Sequence, residues 1–153
     1  MVIEGNFTAN VSLRQAWDFC NNMENIANLI PGCTSVTLIS EKETRVVVEQ
    51  KVGFLKGKFT VDIRLEDVVE METLVAIGEG KDPLIGSSLK MNVAMKFEEL
   101  APEQVKIHYN LEVSVFGKLG TLGFFIIKGK AAEMEKEFVE TATKELESLK
   151  RGE

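Results

Sequence analysis

The sequence predicts an α+β fold in which an antiparallel sheet wraps around a long C-terminal helix, with two short helices after the first strand. Apolar and polar residues alternate through most of the region 35–115, as in strands with one buried face. Short polar connections separate these strands, which favours hairpins. The last third of the chain has apolar residues at helical spacing. Only this helix is long enough to cover the apolar face of the sheet.

The N-terminal region predicts one strand and two short helices. Residues 3–9 alternate between apolar and polar, which indicates a strand. Ser12 and Gln15 have the spacing of a capping box, so a short helix begins there. Asn22 opens a second short helix, which ends at Pro31 because the residue before a proline disfavours helical geometry.

The region after residue 35 is predicted to be almost entirely strands. The alternation marks strands at 36–38, 46–48, 58–66, 89–97 and 105–115. Gly78 and Gly80 interrupt a further strand pattern, where glycine indicates a bulge or the close approach of a ligand or helix.

The final helix is predicted to run without a break from Lys118 to Leu149, a length of about 48 Å. Its core-facing stripe comprises Gly120, Phe124, Ile127, Ala131, Met134, Phe138, Ala142 and Leu149. Glycines at 117, 120 and 123 leave little side chain at one end, so we expect an apolar cavity there. The predicted ligand-binding residues are Met91, Val93, Met95, Phe116, Phe124, Ile127, Ala131 and Met134.

A second apolar cluster lies on the opposite side of the helix start. It comprises Leu119, Leu122, Phe125 and Ile126, and Lys118 and Lys128 flank it. One interpretation is that the short helices or the loop 82–86 cover it. The other is that it binds a membrane surface or a protein partner, since lysines beside apolar side chains suit anionic lipid.

Composition excludes several classes of protein. A chain of 153 residues fits one domain, predicted to span 1–153, and the N-terminus lacks a signal peptide, which indicates a cytoplasmic protein. The net charge of −6 argues against nucleic-acid binding. The apolar run 123–127 is too short to span a bilayer. No metal site or cofactor is predicted, because two cysteines and one histidine cannot supply a usual zinc site.

Five residues are candidates for chemistry, and each has a simpler interpretation. His108 could act as a general base, but alternation places it on the solvated face of a strand. Glu79 and Asp82 could form a catalytic pair, although nothing in the pattern turns them towards each other. Cys33 could be a reactive thiol or a buried inert one, and a disulfide with Cys20 is an open alternative.

Four segments together resemble the G-subunit family of carbon monoxide dehydrogenase, in family order and over nearly the whole chain. They are residues 28–33 (NLIPGC), 51–59 (KVGFLKGKF), 78–81 (GEGK) and 117–123 (GKLGTLG). The resemblance implies the START-like helix-grip fold, with a seven-stranded antiparallel sheet around an apolar cavity. It also implies association with a molybdenum-containing carbon monoxide dehydrogenase or related hydroxylase, without catalysis by the G-subunit itself. Phe124-Phe125 stands where members typically have a polar pair.

The function expected from these observations is non-enzymatic binding of a lipid or quinone-like molecule. Such a protein would assist maturation, membrane attachment or electron delivery of a molybdenum hydroxylase, in the cytoplasm or at the inner face of the membrane. Two alternatives remain: an enzyme of the same fold, such as a cyclase or hydrolase acting on an aromatic substrate, and an assembly adaptor without a ligand.

Overall fold

The computed structural model describes residues 1–150, and within them it contains seven strands, three α-helices and two short 3-10 turns. The elements are β1 (Val2–Ala9), α1 (Leu13–Cys20), α2 (Met23–Leu29), β2 (Cys33–Leu38), β3 (Glu43–Val52), β4 (Leu55–Val69), β5 (Thr73–Asp82), β6 (Ser87–Ala101), β7 (Gln104–Gly117) and α3 (Phe124–Lys150). The 3-10 turns are Pro83–Ile85 and Lys118–Leu122.

The strands form one antiparallel sheet in the order β1-β7-β6-β5-β4-β3-β2. Strands β2 to β7 follow one another as hairpins, and β1 closes the far edge by pairing with β7. Helices α1 and α2 carry the chain from one edge of the sheet to the other. The predicted α+β architecture, with seven antiparallel strands and two short helices after the first strand, is therefore confirmed.

Local sequence signals account for both short helices. The Ser12 hydroxyl accepts a hydrogen bond from the Gln15 backbone N–H, and the Gln15 side chain accepts one from Ser12 in return. Asn22 caps α2 through its side-chain oxygen. Gly32 then turns the chain with φ +85°, where a side chain would collide with the backbone carbonyl of Glu49. The predicted start and stop signals of this region are confirmed.

The hydrophobic core is divided into two clusters at opposite ends of the sheet. The first joins α1, β1, β6, β7 and the second half of α3 around Trp17, Ile107 and Leu146, which are at most 2% exposed. The second joins α2, β3, β4 and the second 3-10 turn around Val46, Phe59 and Leu119. The inner face of the sheet is thus covered at both ends by separate groups of side chains.

The prediction of one unbroken helix from Lys118 was wrong. A 3-10 turn occupies Lys118–Leu122, and α3 begins at Phe124. Gly117 and Gly123 flank this turn with φ +80° and +96°, both outside the helical region. Gly117 therefore separates β7 from the turn, and Gly123 separates the turn from α3.

Candidate functional site

We call the region between the two core clusters, on the inner face of β5, β6 and β7 and beneath the first half of α3, the interior gap. The inward side chains bordering this interior gap are half-buried and belong to neither cluster. They are Ala76, Met91, Val93, Leu111, Val113, Ile127, Ala131 and Met134. Because the backbone of α3 approaches α1, α2, β1 and β3 more closely than the central strands, the middle of the sheet is left partly uncovered.

Small residues on β5 make room for side chains of the neighbouring strands. Ala76, Gly78 and Gly80 occupy successive inward positions on this strand, opposite Val93, Met91 and Leu89 of β6. The Met91 side chain folds over Gly78, where a Cβ would stand 2.8 Å from its Cγ. On the helix side, Gly123 and Gly129 are exposed and a Cβ at either would meet no atom within 4 Å, so both face solvent and neither borders the gap.

The structure brings together most of the predicted ligand-binding residues. Met91, Val93, Ile127, Ala131 and Met134 all border the interior gap. Met95 lies one inward position nearer the first cluster, against which it packs. That these six residues contact a ligand stays a prediction.

Two of the predicted lining residues lie elsewhere. Phe116 pairs with Ser88 on the outer face of the sheet and is 49% exposed, since the strand alternation that turns Val115 inwards turns Phe116 outwards. Phe124 is 58% exposed at the first position of α3. Its ring lies 5.6 Å from the Lys128 ammonium, a cation–π distance. Both placements in the lining were wrong.

A polar pair at the floor of the gap was missed by the sequence analysis. Tyr109, on the inner face of β7, donates a hydrogen bond from its hydroxyl to Glu135 Oε2 on α3. Gly5 of β1 pairs with Tyr109 of β7, and a side chain at position 5 would overlap the Tyr109 hydroxyl. Burial, followed by the Glu135 hydrogen bond and charge, raises the pKa of Tyr109 to about 12. The detectable signal was the only tyrosine in the chain, in a strand face otherwise made of Val, Ile and Leu.

The outer cluster of the helix start is only partly exposed. Phe125 is 85% exposed and Ile126 46% exposed, in agreement with the prediction. Leu119, however, is only 6% exposed and belongs to the second core cluster, so its placement on the surface was wrong. Leu122 is half-buried and packs against the same cluster. The 3-10 geometry of the turn directs Leu119 inwards, where the predicted α-helix directed it outwards.

Two loops add exposed apolar side chains at the same end of the sheet. Phe54, in the β3–β4 turn, is 74% exposed, and Leu84, in the β5–β6 loop, is 92% exposed. The adjacent Gly53 lies near Ile126 and Leu122. We call this the basic end, because residues 51–60, 79–90 and 114–130 contain eight lysines and only two carboxylates.

The opposite end of the sheet has the reverse charge. Residues 38–43, 66–73 and 98–104, which contain the other three hairpin turns, include nine carboxylates and one lysine. Exposed apolar residues occur at this acidic end as well, among them Val69 and Leu100. The two ends therefore differ in charge far more than in apolar exposure.

The loops at the basic end are held by two buried polar side chains. Asp82, 3% exposed, accepts hydrogen bonds from the backbone N–H groups of Lys58 and Leu84 at 2.7 and 3.1 Å. The Ser87 hydroxyl accepts one from the Leu119 N–H at 2.8 Å. These contacts connect the β5–β6 loop to β4 and to the second 3-10 turn, Lys118–Leu122.

We expect an Asp82→Ala substitution to lower the free energy of unfolding by about 1–3 kcal/mol, because it leaves backbone donors unsatisfied. Urea denaturation measures this change. Asp62→Ala is the matched control, since Asp62 pairs with Arg45 at the surface and its loss should cost at most about 1 kcal/mol. An equal effect of both substitutions would contradict the proposed role of Asp82.

The residues considered for catalysis do not converge. His108 faces the outer side of the sheet, where its Nε2 lies 2.9 Å from Glu98 Oε1 and lowers the pKa of that carboxyl through their hydrogen bond. Glu79 points outwards, whereas Asp82 is buried on the inner side. The outer face around His108 holds a shallow depression of about 580 Å³ that is also lined by Ala94. A second depression, of about 330 Å³, lies beside the short helices.

Comparison with known proteins establishes the family. The family model of the carbon monoxide dehydrogenase G-subunit (CoxG) matches residues 5–147. The chain belongs to this family. No curated protein matches the chain.

Solved structures show that this CoxG family member has a START-like fold. A conserved protein from Geobacillus kaustophilus is 18% identical with a TM-score of 0.85, covering 95% of each chain. A START superfamily protein from Mycobacterium smegmatis is 11% identical with a TM-score of 0.73, covering 97% of this chain and 98% of its own. The Zhui aromatase/cyclase from Streptomyces sp. R1128 is 12% identical with a TM-score of 0.68, covering 96% and 93%.

In this family member, no helix within residues 1–150 is both long and apolar enough to cross a membrane.

The two cysteines of this family member are free thiols that lie in different core clusters. Burial raises the pKa of Cys20 to about 12, so its reactive thiolate is scarce at neutral pH. Cys33, at the start of edge strand β2, is half-buried. We expect a thiol reagent to label Cys33 first and Cys20 only when the protein unfolds, as measured by mass spectrometry of labelled peptides. Labelling of Cys20 at the same rate in the folded protein would contradict this assignment.

Proposed function

We propose that this protein binds a hydrophobic molecule, a lipid or a quinone-like compound, in the interior gap. The observation that carries the proposal is the division of the core, which leaves inward apolar side chains covered by neither cluster. Covering a large apolar side chain is worth about 1.5–3 kcal/mol, so a ligand that fills the gap gains substantial binding energy. Concave apolar sites of this kind are the usual binding places for small molecules.

We further propose that the protein serves a molybdenum-containing carbon monoxide dehydrogenase or a related hydroxylase, in maturation, membrane attachment or electron delivery. Membership of the CoxG family supports this role. The likeness to an aromatase/cyclase keeps a cyclase or hydrolase as the alternative. That alternative is weakened because His108 and Glu79, the side chains considered for it, face away from the gap.

We assign membrane attachment to the basic end. Phe54, Leu84, Phe124 and Phe125 are each more than half exposed there, and the surrounding segments carry an excess of lysines. Apolar side chains beside lysines suit the interface of an anionic bilayer, where insertion and charge attraction act together. The acidic end would be repelled by the same lipid. This contrast favours attachment at the inner, anionic face of the cytoplasmic membrane.

Extraction of the protein purified from its native host, followed by mass spectrometry, tests the ligand part of the proposal. We expect an apolar small molecule in near-stoichiometric amount. Repeated preparations without one would contradict ligand binding and favour an adaptor.

A pull-down with the hydroxylase tests the adaptor alternative separately. If Phe125→Glu abolishes capture of the enzyme while the extracted ligand is retained, the surface acts as a protein contact rather than a membrane contact.

A further inference from the structure

The floor of the interior gap contains two hydrogen-bonding side chains, Tyr109 and Glu135. Tyr109 sits in the inward row formed with Leu74, Met95 and Gly5, between the filled first cluster and the open part of the gap. Glu135 reaches the same place from α3. The strand residues bordering the gap are otherwise apolar, and on α3 the Lys130 side chain is also largely buried, being 17% exposed.

The pair has spare acceptors but no spare donor. The single hydroxyl proton of Tyr109 is donated to Glu135 Oε2, which leaves the phenolic oxygen able to accept. An ionised carboxylate is acceptor-only, and the hydrogen bonds of the described residues give Glu135 Oε1 no partner. A molecule entering the gap therefore meets one negative charge and free acceptor sites at the floor.

We propose that Tyr109 and Glu135 select apolar ligands whose polar end is a neutral hydroxyl donor, such as a long-chain alcohol or a phenol. This inference rests on the proposed binding of an apolar molecule in the gap. A carboxylate end is repelled by Glu135, and an ether or ester end offers only acceptors to acceptors. Of a quinone and its reduced dihydroxy form, only the reduced form supplies the required donor.

Two lysines of α3, Lys128 and Lys130, precede Glu135 in the helix. Lys128 is seven residues before Glu135 on the same helix, which places it about 10 Å nearer the start of α3, and it contacts the Phe124 ring. Lys130, whose side chain is 17% exposed, lies 3.6 Å from Glu133, whose side chain is 69% exposed. A ligand whose charged end stayed near the start of α3 would meet these lysines, whereas a ligand that entered with its polar end first would meet Glu135.

Competition against Nile red, a neutral apolar fluorophore, with three ligands of matched chain tests the proposal at pH 8. They are decan-1-ol (a donor), 1-methoxydecane (acceptor only) and decanoate (an anion). We expect decan-1-ol to bind the unmodified protein about 10-fold more tightly than the ether, as a hydrogen bond to a charged group implies. We expect decanoate to bind more weakly than decan-1-ol by a larger factor.

Single substitutions identify the residue responsible for the preference. Glu135→Gln removes the charge and adds a donor, so the preference for decan-1-ol should fall to within about 2-fold of both competitors. Tyr109→Phe removes the phenolic acceptor and should reduce the preference without abolishing it, because the Glu135 carboxylate remains. Glu133→Gln is the matched control and should change nothing, since its side chain is exposed on the same helix.

The outcomes separate this inference from the proposed function. Equal affinity for the three ligands in the unmodified protein, or tightest binding of decanoate, would overturn the selection by Glu135 while leaving the apolar site intact. Failure of Nile red and of all three ligands to bind would overturn the site itself. The comparison of ligands on the unmodified protein needs no variant to fold.

Discussion

A Phe124→Glu/Phe125→Glu double variant should lose affinity for anionic lipid vesicles by about 100-fold or more. These rings are 58% and 85% exposed at the start of α3, so they can enter the interface without any rearrangement of the core. Burial of each is worth about 1.5–3 kcal/mol, and every 1.4 kcal/mol is tenfold in affinity. The substitutions also place two negative charges among the lysines of the basic end. Vesicle flotation or sedimentation measures the loss.

Val69→Glu is the matched control for vesicle binding. Val69 is 41% exposed at the acidic end, so the same change of residue type occurs on the surface that we expect to face away from the lipid. Its binding should equal that of the unmodified protein. Binding should also weaken with added salt, because lysine attraction to lipid is screened. Equal binding by the double variant and the unmodified protein would remove the basic end from membrane attachment.

A Val93→Trp substitution should weaken binding of an apolar probe such as Nile red by at least about 10-fold. Val93 lies in the middle of the interior gap, opposite Ala76 and Leu111, where a larger side chain occupies the space that the ligand needs. The apolar surface lost to the ligand corresponds to about 1.5–3 kcal/mol. Fluorescence titration measures the affinity, and a denaturation curve checks that the variant is folded.

Ala94→Trp provides a matched control for the gap. Neighbouring residues of a strand point to opposite faces, so Ala94 lies on the outer side and lines the depression near His108. Probe affinity should be unchanged in this variant. If Ala94→Trp weakened binding and Val93→Trp did not, the binding site would be the outer depression and not the gap.

The strands and short helices were predictable because their signals are local. Period-two alternation identified β1 and most of β4, β6 and β7, and the residue pair Ser12 and Gln15 forms the capping box that their spacing indicated. The final helix was misjudged at its start. Helical spacing continues through Gly117–Leu122, but spacing cannot report the positive φ angles of Gly117 and Gly123 that exclude an α-helix there.

The place of a site residue was predictable where the direction of its side chain follows the period of a strand or helix. It was not predictable where tertiary contacts determine that direction. Val93 and Met134 border the gap as expected, and strict application of the alternation would have turned Phe116 outwards. Leu119 depends on the second core cluster, and the Tyr109–Glu135 pair joins residues 26 positions apart in sequence. The part of the basic end at the helix start was predicted, but the contributions of Phe54 and Leu84 were not, because their loops come together only when the hairpins are formed.

Photolabelling with a diazirine-bearing long-chain alcohol, followed by peptide mapping, tests the central claim most directly. If the interior gap is the ligand site, the adducts fall on inward residues of β6 and β7 and on the first half of α3. Met91, Val93 and Met134 are the expected positions, and excess decan-1-ol should suppress their labelling. Adducts confined to the outer face of the sheet, or labelling of these positions that excess decan-1-ol does not reduce, would contradict binding in the gap.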